Sequence, residues 1–176
     1  MSLPVVAVVG RPNVGKSTLF NRILGSREAV VAEESGVTRD QHIRVGQWRD
    51  RNFLLVDTGG IIPFGETVSD FDAVVTEIAR NALAEADVVL FVVDAKVGPM
   101  AWDEAIARDL RRQKVPVVLT CNKVEKDADR ATLSEFYALG VGEPYAVSAL
   151  HGHGIGDLLL STDAAETIGG VTYEKE

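Results

Sequence analysis

Cysteine is almost absent from this chain. Cys121 stands alone in 176 residues, which excludes an internal disulfide and points to a reducing cytoplasm. Long apolar runs are missing too: none approaches the roughly 20 residues needed to span a bilayer, and no signal-peptide pattern precedes the first apolar segment. A cytoplasmic protein without membrane contact is expected. Basic residues are in the minority, 18 Lys and Arg against 26 Asp and Glu for a net charge of -8, so no general basic surface is available and no direct nucleic-acid binding is expected. The local clusters Arg39, Arg44, Arg49, Arg51 and Arg108, Arg111, Arg112, Lys114 read as solvated faces. His151 and His153 have the spacing of a metal pair, but without a neighbouring cysteine or carboxylate they read as loop. No internal repeat is visible, and the length suits one domain with an adequate core.

What is present is a strong phosphate-binding pattern. Gly10-Arg11-Pro12-Asn13-Val14-Gly15-Lys16-Ser17 matches G-x-x-x-x-G-K-[ST], between the buried-strand run ending at Val9 and a helical segment beginning with Thr18-Leu19-Phe20-Asn21. A polyphosphate needs many donors converging without side chains in the way. Gly10 and Gly15 let the backbone amides curl inward, and the helix beginning near Lys16 points its positive end at the same place. Lys16 can reach the β and γ phosphates, and the Ser17 hydroxyl can ligate magnesium.

The rest of the chain alternates strand and helix. Helices are expected up to about Leu24, from Val68 to Ala86, from Trp102 to Arg112, from Ala131 to Leu139 and from Ile155, with an irregular loop from Gly25 to Asp40. Strands are expected at Pro4 to Val9, His42 to Trp48, Asn52 to Val56, Val88 to Val93, Val115 to Thr120 and Tyr145 to Val147. The fold class is therefore α/β, a doubly wound, mostly parallel six-stranded sheet with helices on both faces. Residues 4–160 read as the nucleotide-binding domain, and 161–176, polar with Gly169-Gly170, as a linker or tail.

Further polar motifs fall at expected strand ends, the edge where such sheets bind ligands. Asp57, with Thr58, Gly59 and Gly60 behind it, is placed to hold magnesium, and a glycine amide there can meet the γ phosphate. Thr38, in the loop before the second strand, can close over magnesium and the terminal phosphate. Asn122, Lys123 and Glu125 follow another strand. A carboxylate can accept from the adjacent N1 and N2 donors of guanine, and adenine has no such pair. Ser148 and Ala149 can close the far side of the base through backbone amides.

Taken together, Gly10 to Ser17, Thr38, Asp57 to Gly60, Asn122 to Glu125 and Ser148-Ala149 resemble the five G motifs of translation-factor-class GTPases. Within that class, Arg11 to Asn21, Asp57 to Ile61 and Ser148-Ala149-Leu150-His151-Gly152 resemble the first G domain of the Der (EngA) family. The resemblance covers about Val5 to Leu160. It implies binding of GTP and GDP with Mg2+ by Gly10, Arg11, Pro12, Asn13, Val14, Gly15, Lys16, Ser17, Thr18, Asp57, Thr58, Gly59, Gly60, Ile61, Asn122, Lys123, Glu125, Ser148, Ala149 and Leu150. It also implies a longer protein with a second G domain and a KH-like domain in cis, acting in assembly of the large ribosomal subunit. Relatives such as Era and MnmE share the P-loop and usually carry proline or alanine at the position of Gly59.

Two features depart from the common pattern. Glu125 replaces the usual base-reading aspartate and is one methylene longer. Ile61 and Ile62 stand where many small GTPases use glutamine, and neither can hydrogen-bond a water. Related GTPases with this replacement and a P-loop asparagine are activated by potassium, and Asn13 matches that asparagine. The resemblance thus implies K+ at Asn13 and a water held by backbone groups of Thr38 and Gly60, with Lys16 on the β and γ phosphates. The alternatives are a GTP/GDP-sensing module with little hydrolysis, another potassium-type GTPase of the Era-like or MnmE-like kind, and, against the guanine-reading residues, an ATP-using enzyme.

Overall fold

The computed structural model describes residues 3–34, 43–48, 51–59 and 84–170, with side-chain detail for all of these but 26–34 and 163–170. Six strands, β1 (Val5–Val9), β2 (Ile43–Trp48), β3 (Arg51–Asp57), β4 (Val88–Asp94), β5 (Val117–Asn122) and β6 (Pro144–Ala146), form one sheet. Their order is β2-β3-β1-β4-β5-β6. Only β2 is antiparallel to its neighbour; the other pairings are parallel. The mostly parallel six-stranded sheet expected from the sequence is the one found.

Strands buried on both faces need apolar residues at consecutive positions. In β1, Val6 and Val8 join one core while Ala7 and Val9 join the other; in β4, Val88, Leu90 and Val92 alternate with Val89, Phe91 and Val93 in the same way. Helices α1 (Lys16–Glu34) and α3 (Ile155–Gly170) supply Leu19, Phe20, Ile23, Leu24, Leu158 and Leu159 to the first core. Helix α2 (Ala101–Gln113) and a 3-10 helix (Asp127–Leu139) supply Ile106, Ala107, Leu110, Phe136 and Leu139 to the second. Each large side chain so buried contributes about 1.5–3 kcal/mol.

The chain leaves β1 toward β3 on one side and reaches β4, β5 and β6 on the other. The carboxyl end of β1 is therefore the point where strand order reverses, where ligands of such sheets bind. The P-loop is attached there.

Several boundaries differ from the sequence expectation. β5 starts at Val117 rather than Val115 because Pro116 has no N–H to donate to the ladder, and it runs on to Asn122, paired with Asp94. The helix after the P-loop breaks at Gly25, φ 65° and ψ 173°, as expected for an ending near Leu24, but the backbone then resumes helical form to Glu34 where an irregular loop was expected. Gly25 has the left-handed φ common at helix ends.

The 3-10 helix begins at Asp127, four residues before the expected Ala131, because Asp129 Oδ2 accepts the amides of both Glu125 and Lys126 at 3.0 Å. Helix α3 does not give way to a tail at Ser161 but continues to Gly170. Ser161 and Thr162 return their hydroxyls to the carbonyls of Asp157 and Leu158 at 2.9 and 2.7 Å, and Thr162 is buried. Hydroxyls bonded to the preceding turn make a polar stretch compatible with a helix. The helix expected from Val68 to Ala86 lies almost wholly outside the described residues. Among the described residues no helix is long and apolar enough to cross a membrane.

Candidate nucleotide site

The loop from Gly10 to Gly15 is shaped by close backbone approach. A Cβ at Gly10 would lie 2.5 Å from the Val92 carbonyl oxygen, and one at Gly15 would lie 2.3 Å from Asn122 Nδ2. Gly15 has φ 95° and Asn13 φ 70°, left-handed values that cost a side-chain-bearing residue conformational energy. The first intrahelical bond of α1 runs from the Leu19 amide to the Gly15 carbonyl at 2.9 Å. The amides of Lys16, Ser17 and Thr18 thus form the open first turn of the helix, the end suited to an anion.

Lys16 is buried, 8% exposed, and donates to the Arg11 carbonyl at 2.8 Å. Burial pulls its ammonium below the ordinary lysine value, Asp57 opposing and Arg11 adding to the shift. Ser17 and Thr18, on the first turn, are exposed, as are Pro12 and Asn13. Asp57 is brought beside the P-loop by parallel pairing with Val8. The Thr58 hydroxyl and amide both donate to the Val8 carbonyl, at 2.8 and 3.2 Å, so Thr58 serves by pinning Asp57 and not through its side chain on a ligand. The Gly59 amide donates to Asp57 Oδ1 at 3.0 Å.

On the base side, Asn122 is a strut between three elements. Its Nδ2 donates to the Val14 carbonyl, its Oδ1 accepts the Ala149 amide, both at 2.9 Å, and its own carbonyl accepts the Ala95 amide. Lys123, with φ 69°, donates to the Asn13 carbonyl and to Asp94 Oδ2 at 2.9 Å. Glu125 Oε2 accepts from Lys96 Nζ at 2.9 Å.

The Ser148 amide donates to the His153 carbonyl and the Ala149 amide to Asn122, because the strand-end turn must satisfy its own donors; the exposed Leu150 is the next residue along the loop. The side chain of Arg11 turns away from the phosphate cradle, its Nε 3.4 Å from Asp103 Oδ1 on α2, leaving only its backbone for the nucleotide. Thr38, Gly60 and Ile61 lie outside the described residues.

The remaining motif residues, Gly10 through Lys16 with Asp57, Asn122, Lys123 and Ala149, meet at one sheet edge. Four residues with a part here were not singled out from the sequence. Arg22 on α1 donates to the carbonyls of Ala149 and Leu150 at 2.9 and 2.7 Å. Asp94 holds Lys123, Lys96 holds Glu125, and Asp103 faces Arg11. Asp94 had a readable signal, since like Asp57 it ends an apolar strand; the other three had none. Cys121 is fully buried, its thiol pushed up to about 12 by burial and then by Asp103, as expected of a strand residue rather than a nucleophile.

Residues 5–123 match the family model described as 50S ribosome-binding GTPase. The chain is 52% identical over 159 residues to GTPase Der of Heliobacterium modesticaldum, covering 90% of this chain and 36% of that one, so it spans about a third of the length of the curated relatives it matches. Among solved structures it is similar to an Era variant of Aquifex aeolicus bound to GDP and aluminium fluoride, with TM-score 0.77, 28% identity and coverage of 98% and 60%. It is also similar to Era in complex with MgGDPNP and a segment of 16S ribosomal RNA, with TM-score 0.74, 32% identity and coverage of 92% and 56%. With the P-loop, the strand-end aspartate and the Asn122 strut gathered at one sheet edge, the chain belongs to the 50S ribosome-binding GTPase family.

Proposed function

We propose that this domain binds GTP with Mg2+ in the Gly10–Ser17 loop and hydrolyses it to GDP and phosphate, as the N-terminal G domain of a cytoplasmic protein acting in large-subunit ribosome assembly. The observation that carries the catalytic part is the convergence of Lys16, Asp57 and Asn122 on one loop: a buried cation at the open end of α1, a carboxylate acting on it, and a side-chain amide bonded to the Val14 carbonyl.

Phosphoryl transfer asks mainly for positioning and charge neutralisation. The amides of the loop and the ammonium of Lys16 bind the β and γ oxygens. The exposed Ser17 hydroxyl and the Asp57 carboxylate would hold magnesium, which favours one or two protein oxygens alongside phosphate oxygens and water and would supply charge neutralisation to the phosphates. Thr38, Gly60 and Ile61 are proposed to close over the γ phosphate, with backbone groups of Thr38 and Gly60 holding the attacking water. The Asn13 side chain is exposed while its carbonyl is held by Lys123, which fits a side-chain oxygen free to ligate K+. Asn122, Lys123 and Glu125 read the guanine, with the loop Ser148 to Leu150 on its far side. The ribosomal role rests on the family description, and the further domains in cis on the resemblance to Der and on the chain's covering 36% of the Heliobacterium relative.

The test is steady-state phosphate release from GTP with magnesium, in potassium and then sodium chloride at equal ionic strength, with ATP as control. Turnover of GTP alone, faster in potassium and insensitive to the cation in Asn13→Ala, supports the reading. Tight GDP binding with near-zero release in both salts would replace it by a sensing module, consistent with the two isoleucines after Gly60.

A further inference from the structure

Glutamate has one more rotatable bond than aspartate, so its carboxylate samples more positions over the same backbone. A reader of two adjacent base donors works only if that carboxylate is held in one of them. In this chain the holder is visible. Lys96 Nζ lies 2.9 Å from Glu125 Oε2, the lysine side chain 44% and the glutamate 24% exposed.

Both residues stand on anchored backbone. The turn carrying Lys96 is tied down by its own amide on Asp94 Oδ1 at 2.9 Å, by the Ala95 amide on the Asn122 carbonyl, and by the Thr132 hydroxyl on the Ala95 carbonyl. Glu125 is fixed by its amide on Asp129 Oδ2 and by the preceding Val124 amide on the Val147 carbonyl. The neighbouring lysine does not compete, because Lys123 takes Asp94. The hydrogen bond from Lys96 holds the Glu125 carboxyl below its ordinary range and raises the Lys96 ammonium in return.

We propose that Lys96 is a specificity-determining positioning residue, which holds the Glu125 carboxylate so that this longer acid can read the adjacent N–H donors of guanine. The inference rests on the guanine-nucleotide reading above. A carboxylate offers about four lone-pair sites. Lys96 occupies one, leaving all of Oε1 and the second site of Oε2 for two base donors. An exposed ion pair of this kind adds little to folding stability; its effect is to order a rotamer-rich side chain before the base arrives.

The test is nucleotide binding to the 176-residue chain, using GDP, and IDP, which lacks the exocyclic amino donor. If the wild-type chain binds neither, the nucleotide reading itself fails. With wild-type binding in hand, Lys96→Met is expected to weaken GDP by about two- to tenfold, the factor for leaving one such side chain unordered. IDP should lose less, so the preference for GDP narrows. In a Glu125→Asp background the same Lys96→Met change should leave the GDP to IDP ratio nearly unaltered, and Lys96→Arg, which keeps the charge, should retain most of the wild-type preference. An unchanged GDP to IDP ratio in Lys96→Met would overturn the proposal, as would an equal loss with aspartate at 125.

Discussion

Asn122 Nδ2 donates to the Val14 carbonyl at 2.9 Å, so the residue at the end of β5 holds the middle of the phosphate loop from behind. Its removal leaves a buried carbonyl at Val14 and a buried amide at Ala149 without partners. Each orphaned group costs about 1–3 kcal/mol. Asn122→Ala is therefore expected to lower the urea midpoint of unfolding markedly and to weaken GDP binding, both read by titration on the same preparation.

Gly15 makes the complementary prediction. With φ 95° and only 2.3 Å between a built Cβ and Asn122 Nδ2, Gly15→Ala must displace the strut. The left-handed backbone adds about 1–2 kcal/mol. Calorimetry should show GDP binding lost or severely reduced, while Gly59→Ala, whose Cβ would meet nothing within 4 Å among the described residues, should bear mainly the backbone cost.

Arg22 joins α1 to the base loop through the carbonyls of Ala149 and Leu150. Arg22→Met removes both bonds from a surface position, with a stability loss on the order of 1 kcal/mol. Release of GDP should quicken, which stopped-flow displacement would detect. Wild-type release in this variant would show the loop to be held by other means.

The pair Arg11 and Asp103 gives a pH prediction. Burial raises the Asp103 carboxyl above its ordinary 3.8, while the Met100 amide and Arg11 oppose the rise. In the window just above 3.8 the folded chain then binds more protons than the unfolded one, so this group's contribution to stability falls as pH rises through that window. Asp103→Asn should abolish that slope in denaturation measured across the acidic range. Arg11→Met removes an opposing influence and should extend the slope to higher pH, with a stability loss at neutral pH because the buried carboxylate keeps its Met100 amide bond but loses its countercharge.

Cys121, buried with its thiol at about 12, should resist alkylation in the native chain at pH 8, where almost no thiolate is present. Labelling should appear only on denaturation. Fast native labelling would show that β5 opens locally.

The sheet and the phosphate loop were legible in the residues because their causes are local. Consecutive apolar residues such as Val88 to Val93 can only be satisfied by a strand buried on both faces, and glycines at the spacing of Gly10 and Gly15, followed by Lys16 and Ser17, specify a turn of inward amides ahead of a helix. Helix ends were less legible, since Asp129 starting the 3-10 helix and Ser161 and Thr162 bonding back within α3 depend on single side-chain hydrogen bonds that a polar composition does not reveal. The pairings Arg22 with Ala149, Arg11 with Asp103 and Lys96 with Glu125 were not readable at all. Each joins residues far apart in the chain, and only the parallel crossovers that bring α1, α2 and the strand ends to one edge decide which charge meets which. The residue types alone set the chemistry available at that edge; the packing of distant segments sets which of those groups are held by the protein and which are left to face a ligand.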